Sequence, residues 1–137
     1  MSVTSSVAAG SRSLVWTGRV LSSLAILFLL VDGVTKIIKL EPVMEVSAKL
    51  DVPAETIPGL GVTLVACTLI YAFPPTALVG AILLTGYLGG AVWTHVRVSG
   101  EIFPIVFPFL VAALVWGGLY LRDPDLRRLI PRRMNRP

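Results

Sequence analysis

Cysteine and histidine occur once each, as Cys67 and His95, and only 15% of the 137 residues are charged. A single cysteine excludes a disulfide framework and a dithiol redox centre within the chain. One histidine and one cysteine leave no ligand set for haem, iron–sulfur or copper, and no His-x-x-x-His or carboxylate spacing beside His95 suggests a metal site. No cofactor held covalently or through metal ligands is therefore expected. Internal repeats are missing, and so is the low-hydropathy, high-charge composition of a disordered chain. The charge is also too sparse for an ordinary cytosolic globule.

What is present is apolar. Hydrophobic residues make up 55% of the chain, and the mean hydropathy is +0.82. Twelve Lys and Arg against eight Asp and Glu give a net charge of +4. A basic excess on so apolar a chain points to a membrane surface rather than to nucleic acid, for which no folded module or interleaved aromatic surface is visible.

A spanning helix needs about 20 mostly apolar residues at ~1.5 Å each to cross a ~30 Å hydrocarbon layer. Four stretches qualify, at about 14–34, 55–73, 76–96 and 102–121. Segments such as AILFLLV and LVACTLI do not alternate in polarity, so a barrel is excluded. The expected fold class is all-α, an integral membrane four-helix bundle, since only helices satisfy their own backbone groups in lipid. The first run is too long for a leader, and no A-x-A site follows it. It reads as a helix of the mature protein, behind a mobile tail over 1–13.

Basic residues set the orientation. Arg12 and Arg19 at one end, with Arg122, Arg127, Arg128, Arg132, Arg133 and Arg136 in the tail over 122–137, put eight cations on one side against Lys36, Lys39, Lys49 and Arg97 on the other. Both termini are expected in the cytoplasm, the tail as an anchor on anionic lipid. The long first loop holds Pro42 followed by Val43, Val46 and Leu50 at i, i+3 and i+7, which predicts a short amphipathic helix on the outer interface.

Ionisable groups inside spans are costly and are the first functional candidates. Asp32 and Lys36 share a helical face four residues apart; they either neutralise each other or hold a proton, cation or ligand donor. Helix three brings Thr94, His95 and Arg97 to the same membrane level, and His95 suits a proton relay or a hydrogen bond to a quinone-like carbonyl. Gly86 and Gly90, flanked by Gly89, have the spacing of close helix packing, or else form a groove for a flat ligand beside Tyr87 and Trp93. Cys67, in an apolar run, reads as inert packing. Pro104 and Pro108 free backbone carbonyls near the outer end of the fourth helix.

The segments RVLSSLAILFLLVDGVTKI, CTLIYAFPPTALVGAILLTGYLGGAVWTHVRV and FPIVFPFLVAALVWGGLYLRDPDLRRLIP together resemble the DoxX-like family of small four-helix bacterial membrane proteins, over about Arg19 to Pro131. Asp32, Gly33, Lys36, Gly86, Gly89, Gly90, Thr94, His95 and Arg97 match the family's pattern. The resemblance implies a multi-pass protein of the bacterial cytoplasmic membrane, serving as a subunit or accessory of a quinone-linked or oxidative-stress redox system. Any redox part would need quinone or a redox partner subunit. The ligand-binding or proton-handling candidates are Asp32, Lys36, Thr94, His95 and Arg97 from the resemblance, with Tyr87 from the helix-face reading. Two other readings stay open: a small proton-coupled carrier, which with no inverted repeat would have to form a homo-oligomer, and an assembly protein without activity of its own.

Overall fold

The apolar runs become helices in a computed structural model that describes residues 2–98 and 100–134, with side chains over 10–98 and 100–130. Among the described residues every regular element is helical. They are α1 (Ser2–Ile37), α2 (Glu41–Lys49), α3 (Ile57–Ala72), α4 (Ala77–Val98), α5 (Ile102–Arg122) and α6 (Pro124–Met134), with a 3-10 turn at Pro74–Thr76 between α3 and α4.

The helix ends follow from local chemistry. No proline precedes Pro42, so nothing breaks the chain before α1 ends. Helix α1 accordingly begins at Ser2, and the segment over 1–13, expected as a mobile tail, is helical from Ser2 onward. It closes at Lys39, which takes φ 54°. The Leu40 N–H then reaches the Thr35 carbonyl at 3.0 Å and the Lys39 N–H that of Lys36 at 3.2 Å, a Schellman closure. Helix α2 ends the same way at Asp51, φ 56°. Its packed side is Val43, Met44 and the buried Ser47, while Val46 is exposed.

Helix α3 opens at Ile57 behind Thr56, whose hydroxyl donates to the Pro53 carbonyl rather than into the helix. At its far end the Thr76 hydroxyl donates to the Ile70 carbonyl at 2.8 Å. The Arg122 guanidinium donates to the Tyr71 carbonyl at 2.9 Å. These bonds satisfy acceptors that a helix end leaves open, which matters where water is scarce. In α5 only Pro108 falls inside the helix. Pro104 sits in the first turn, where a missing N–H costs nothing. The Asp123 carboxylate accepts from the Asp125 and Leu126 N–H groups at 2.9 and 3.2 Å, capping α6 with Pro124 as its first residue. The tail is thus helical through Met134; Arg136 and the side chains of Arg132 and Arg133 lie outside the described residues.

Helices α1, α3, α4 and α5 pack in a closed ring in which α1 and α4 each touch α3 and α5 and stand on the diagonal from one another. Its core holds Ala25, Leu29, Leu64, Tyr71, Leu84 and Val115. Large apolar side chains such as Leu27, Leu69, Ile82, Trp93 and Phe109 cover the outside. An apolar exterior of this extent belongs against lipid. Gly10–Ile37, Pro74–Val98 and Ile102–Arg122 are long and apolar enough to cross a membrane. Helix α3 is apolar but has 16 residues, about 24 Å at ~1.5 Å each.

Candidate functional site

Two polar clusters lie at opposite ends of the ring. The first is built from the end of α1, where Lys36 Nζ donates to Asp32 Oδ1 at 2.5 Å. The two side chains are 19% and 34% exposed respectively, so the pair is held against the protein rather than in open solvent. The Asp32 carbonyl also accepts from the Thr35 hydroxyl at 2.9 Å. What lets α1 carry charge so close to α3 is a glycine contact. A Cβ on Gly61 would lie 2.6 Å from the Gly33 carbonyl oxygen and 2.9 Å from the Ile37 nitrogen. The backbones of α1 and α3 touch here, which gives Gly33 its structural role.

Across the ring, the half-buried Tyr87 of α4 packs against the apolar core that holds Cys67 of α3. The ion pair itself is built from α1 alone. Cys67 is a buried free thiol, packed in the core. Thr94 and the half-buried His95 stand further toward the same end, the Thr94 hydroxyl bonded back to the Gly90 carbonyl at 2.9 Å. Arg97 is exposed. A carboxylate and an ammonium paired near a helix end can bind a polar head, shuttle a proton or do neither beyond neutralising each other. No group of three or more His, Cys, Asp or Glu that could hold a metal forms among the described residues.

One part of the expectation fails. Gly86, Gly89 and Gly90 meet nothing within 4 Å of an added Cβ, so within the chain they pack no helix. Trp93 is 66% exposed and points away from Tyr87, which packs against the core. The two residues are six apart, about 240° around the helix at 3.6 residues per turn, and share no groove. Gly18, Gly33, Gly61, Gly80 and Gly118 make the close approaches instead. Gly61→Ala is therefore expected to lower the melting temperature in mild detergent, at a cost of about 1–3 kcal/mol. Gly86→Ala is expected to leave it unchanged or raise it, because alanine favours a helix by up to about 1 kcal/mol.

The second cluster was not visible in the sequence. Tyr71 is fully buried. Its hydroxyl donates to the Val115 carbonyl at 2.7 Å. Having one proton, it must accept from Ser22 Oγ, 3.0 Å away. The Arg122 guanidinium lies over the Tyr71 ring, 4.8 Å from its centroid. Gly80 of α4 rests directly on the Tyr71 backbone, and a Cβ on Gly118 of α5 would come within 2.8 Å of the Ser22 nitrogen. All four ring helices meet at this residue. Serine inside an apolar run was the available signal, but it names no partner. Trp116 Nε1 also donates to Thr85 Oγ1 at 2.8 Å, joining α5 to α4.

An all-helical ring with an apolar exterior and polar groups gathered between its helices defines the class, an α-helical membrane protein. A family model described as the DoxX-like family matches residues 20–118. The chain belongs to the DoxX-like family. The match covers Asp32, Lys36, Tyr71, Tyr87 and His95 and ends before Arg122. Comparison with curated proteins and with solved structures returned no match.

Proposed function

We propose that the chain is a four-helix integral protein of the bacterial cytoplasmic membrane, with both termini inside, and an accessory or subunit of a quinone-linked redox system. In this reading α3 also crosses, and α2 lies on the outer interface. The even number of crossings agrees with basic residues concentrated at both chain ends.

The observation that carries the reading is the Asp32–Lys36 pair, held against the protein near the end of α1. Charge at a membrane-embedded helix end is costly unless it is used or neutralised. A quinone ring seated at this end would have donors in Lys36, Tyr87 and Arg97, with Thr94 and His95 further toward the end of α4. Electrons would come from a partner subunit, since the chain's own lone cysteine and histidine supply no redox centre.

Purification in mild detergent followed by lipid extraction tests the proposal. Quinone is expected to co-purify, and an added short-chain quinone is expected to raise the melting temperature of the wild type but not of Tyr87→Phe. Extracts without quinone, together with no thermal shift, would remove the quinone role. The assembly reading draws on the same pair, because Asp32 and Lys36 neutralise each other. It predicts a stable protein partner and no phenotype from Asp32→Asn.

A further inference from the structure

The outer face of α1 near its N-terminal end gathers arginine, tryptophan and aliphatic side chains. Two shallow, open depressions on this one helix, about 260 and 350 Å³, share Trp16 and Arg19. The upper one adds Arg12 and Ser11, the lower one Val20, Leu24 and Leu27. Arg12, Trp16, Arg19 and Ser23 recur at four, three and four residues and so form one stripe along the helix. The Arg19 guanidinium lies over the Trp16 ring, 5.6 Å from its centroid. Trp16 is 64% exposed among the described residues.

Depth places this stripe. Counting back from Lys36, about 20 residues at ~1.5 Å cover the ~30 Å hydrocarbon layer and arrive at Trp16. Arg12 and Trp16 therefore stand at headgroup level, where tryptophan and arginine are favoured, and Leu24 and Leu27 stand among acyl chains. Charge decides the sign of the occupant. No Asp or Glu occurs in the chain before Asp32, which lies thirteen residues beyond Arg19 and is paired with Lys36.

We propose that this stripe is a seat for one anionic phospholipid, its phosphate between Arg12 and Arg19 against Trp16, and an acyl chain along Val20, Leu24 and Leu27. Guanidinium groups bind phosphate oxygens in a fork geometry that an ammonium lacks. The polar depression and the apolar one meet at Trp16, so one ligand with a charged head and an apolar tail fits both.

The test is thermal unfolding of the full chain in a neutral detergent, with added phosphatidylglycerol, phosphatidylcholine or inorganic phosphate, alongside native mass spectrometry of the bound lipid. Phosphatidylglycerol is expected to raise the melting temperature more than phosphatidylcholine, inorganic phosphate not at all, and the wild type is expected to retain a lipid adduct. Arg12→Gln/Arg19→Gln is expected to lose the difference between the two lipids, whereas Arg128→Gln in α6 keeps it. Equal shifts from both lipids would overturn the proposal, and so would a preference that survives the double substitution or disappears with Arg128→Gln. A shift from inorganic phosphate alone would make the site one for a free anion and overturn the lipid seat. If the double variant does not fold, Trp16→Leu is expected to weaken the adduct, and an unchanged adduct there also overturns the seat.

Discussion

Tyr71→Ala is expected to destabilise the protein by about 3–5 kcal/mol, the range for deleting a buried aromatic side chain. The residue is fully buried where α1, α3, α4 and α5 meet, so no neighbour is placed to collapse into the space. Tyr71→Phe separates hydroxyl from ring. It removes the bond to Val115 and deprives Ser22 of its acceptor, yet interhelical hydrogen bonds in membranes are worth only about 1 kcal/mol. Packing should therefore outweigh polarity at this site. In lipid the ring is not held by a hydrophobic effect between helices, but opening a cavity forfeits van der Waals attraction in any solvent. Gly80→Ala attacks the same point from the other side, since its Cβ would collide with the Tyr71 backbone. It is expected to cost about 1–3 kcal/mol as the two helices are forced apart. Reversible unfolding in mild detergent measures all three. A Tyr71→Phe effect as large as that of Tyr71→Ala would show that the polar bonds, not the ring, hold this end together.

Asp32→Ala and Lys36→Ala should each cost about 1–3 kcal/mol, because each leaves a partly buried charge without its partner. The double substitution should cost clearly less than the sum, with a coupling of about 1 kcal/mol or more. A solvent-exposed pair on one helix is worth only about 0.3–0.5 kcal/mol. The magnitude of the coupling thus decides whether the pair belongs to the interior of the ring or to its surface. Additive losses would place Asp32 and Lys36 on the surface and deprive the proposed site of its anion.

The helices were legible because the length of an apolar run is a property of sequence alone. Pro74 and Pro75 mark the turn between α3 and α4, and Asp123 and Pro124 the end of α5, whereas the helix α6 that follows in the basic tail is not read from the sequence. The pair of Asp32 and Lys36 was legible too, since four-residue spacing places two groups on one face wherever the helix lies. Which face turns inward was not. Gly86 and Gly90 have the spacing of a packing motif, but the ring turns Ala81, Leu84 and Leu88 of α4 inward and leaves those glycines open. The close approaches fall at Gly33 with Gly61 and at Gly80 with Tyr71, pairs that only the antiparallel register brings together. Tyr71 was hidden for that reason: its partners Ser22, Val115 and Arg122 come from two other helices 44 to 51 residues away. The N-terminal extension of α1 was missed because serine and alanine suit a tail as well as a helix.

The quinone content of lipid extracts tests the proposed quinone seat beside Asp32 and Lys36 most directly. Wild-type protein and Asp32→Asn, purified side by side in the same detergent, are compared by chromatography of the extracted lipids. The expected result is quinone retained by the wild type and lost from Asp32→Asn, with both proteins folded by circular dichroism. Equal quinone in both extracts, or none in either, would contradict it.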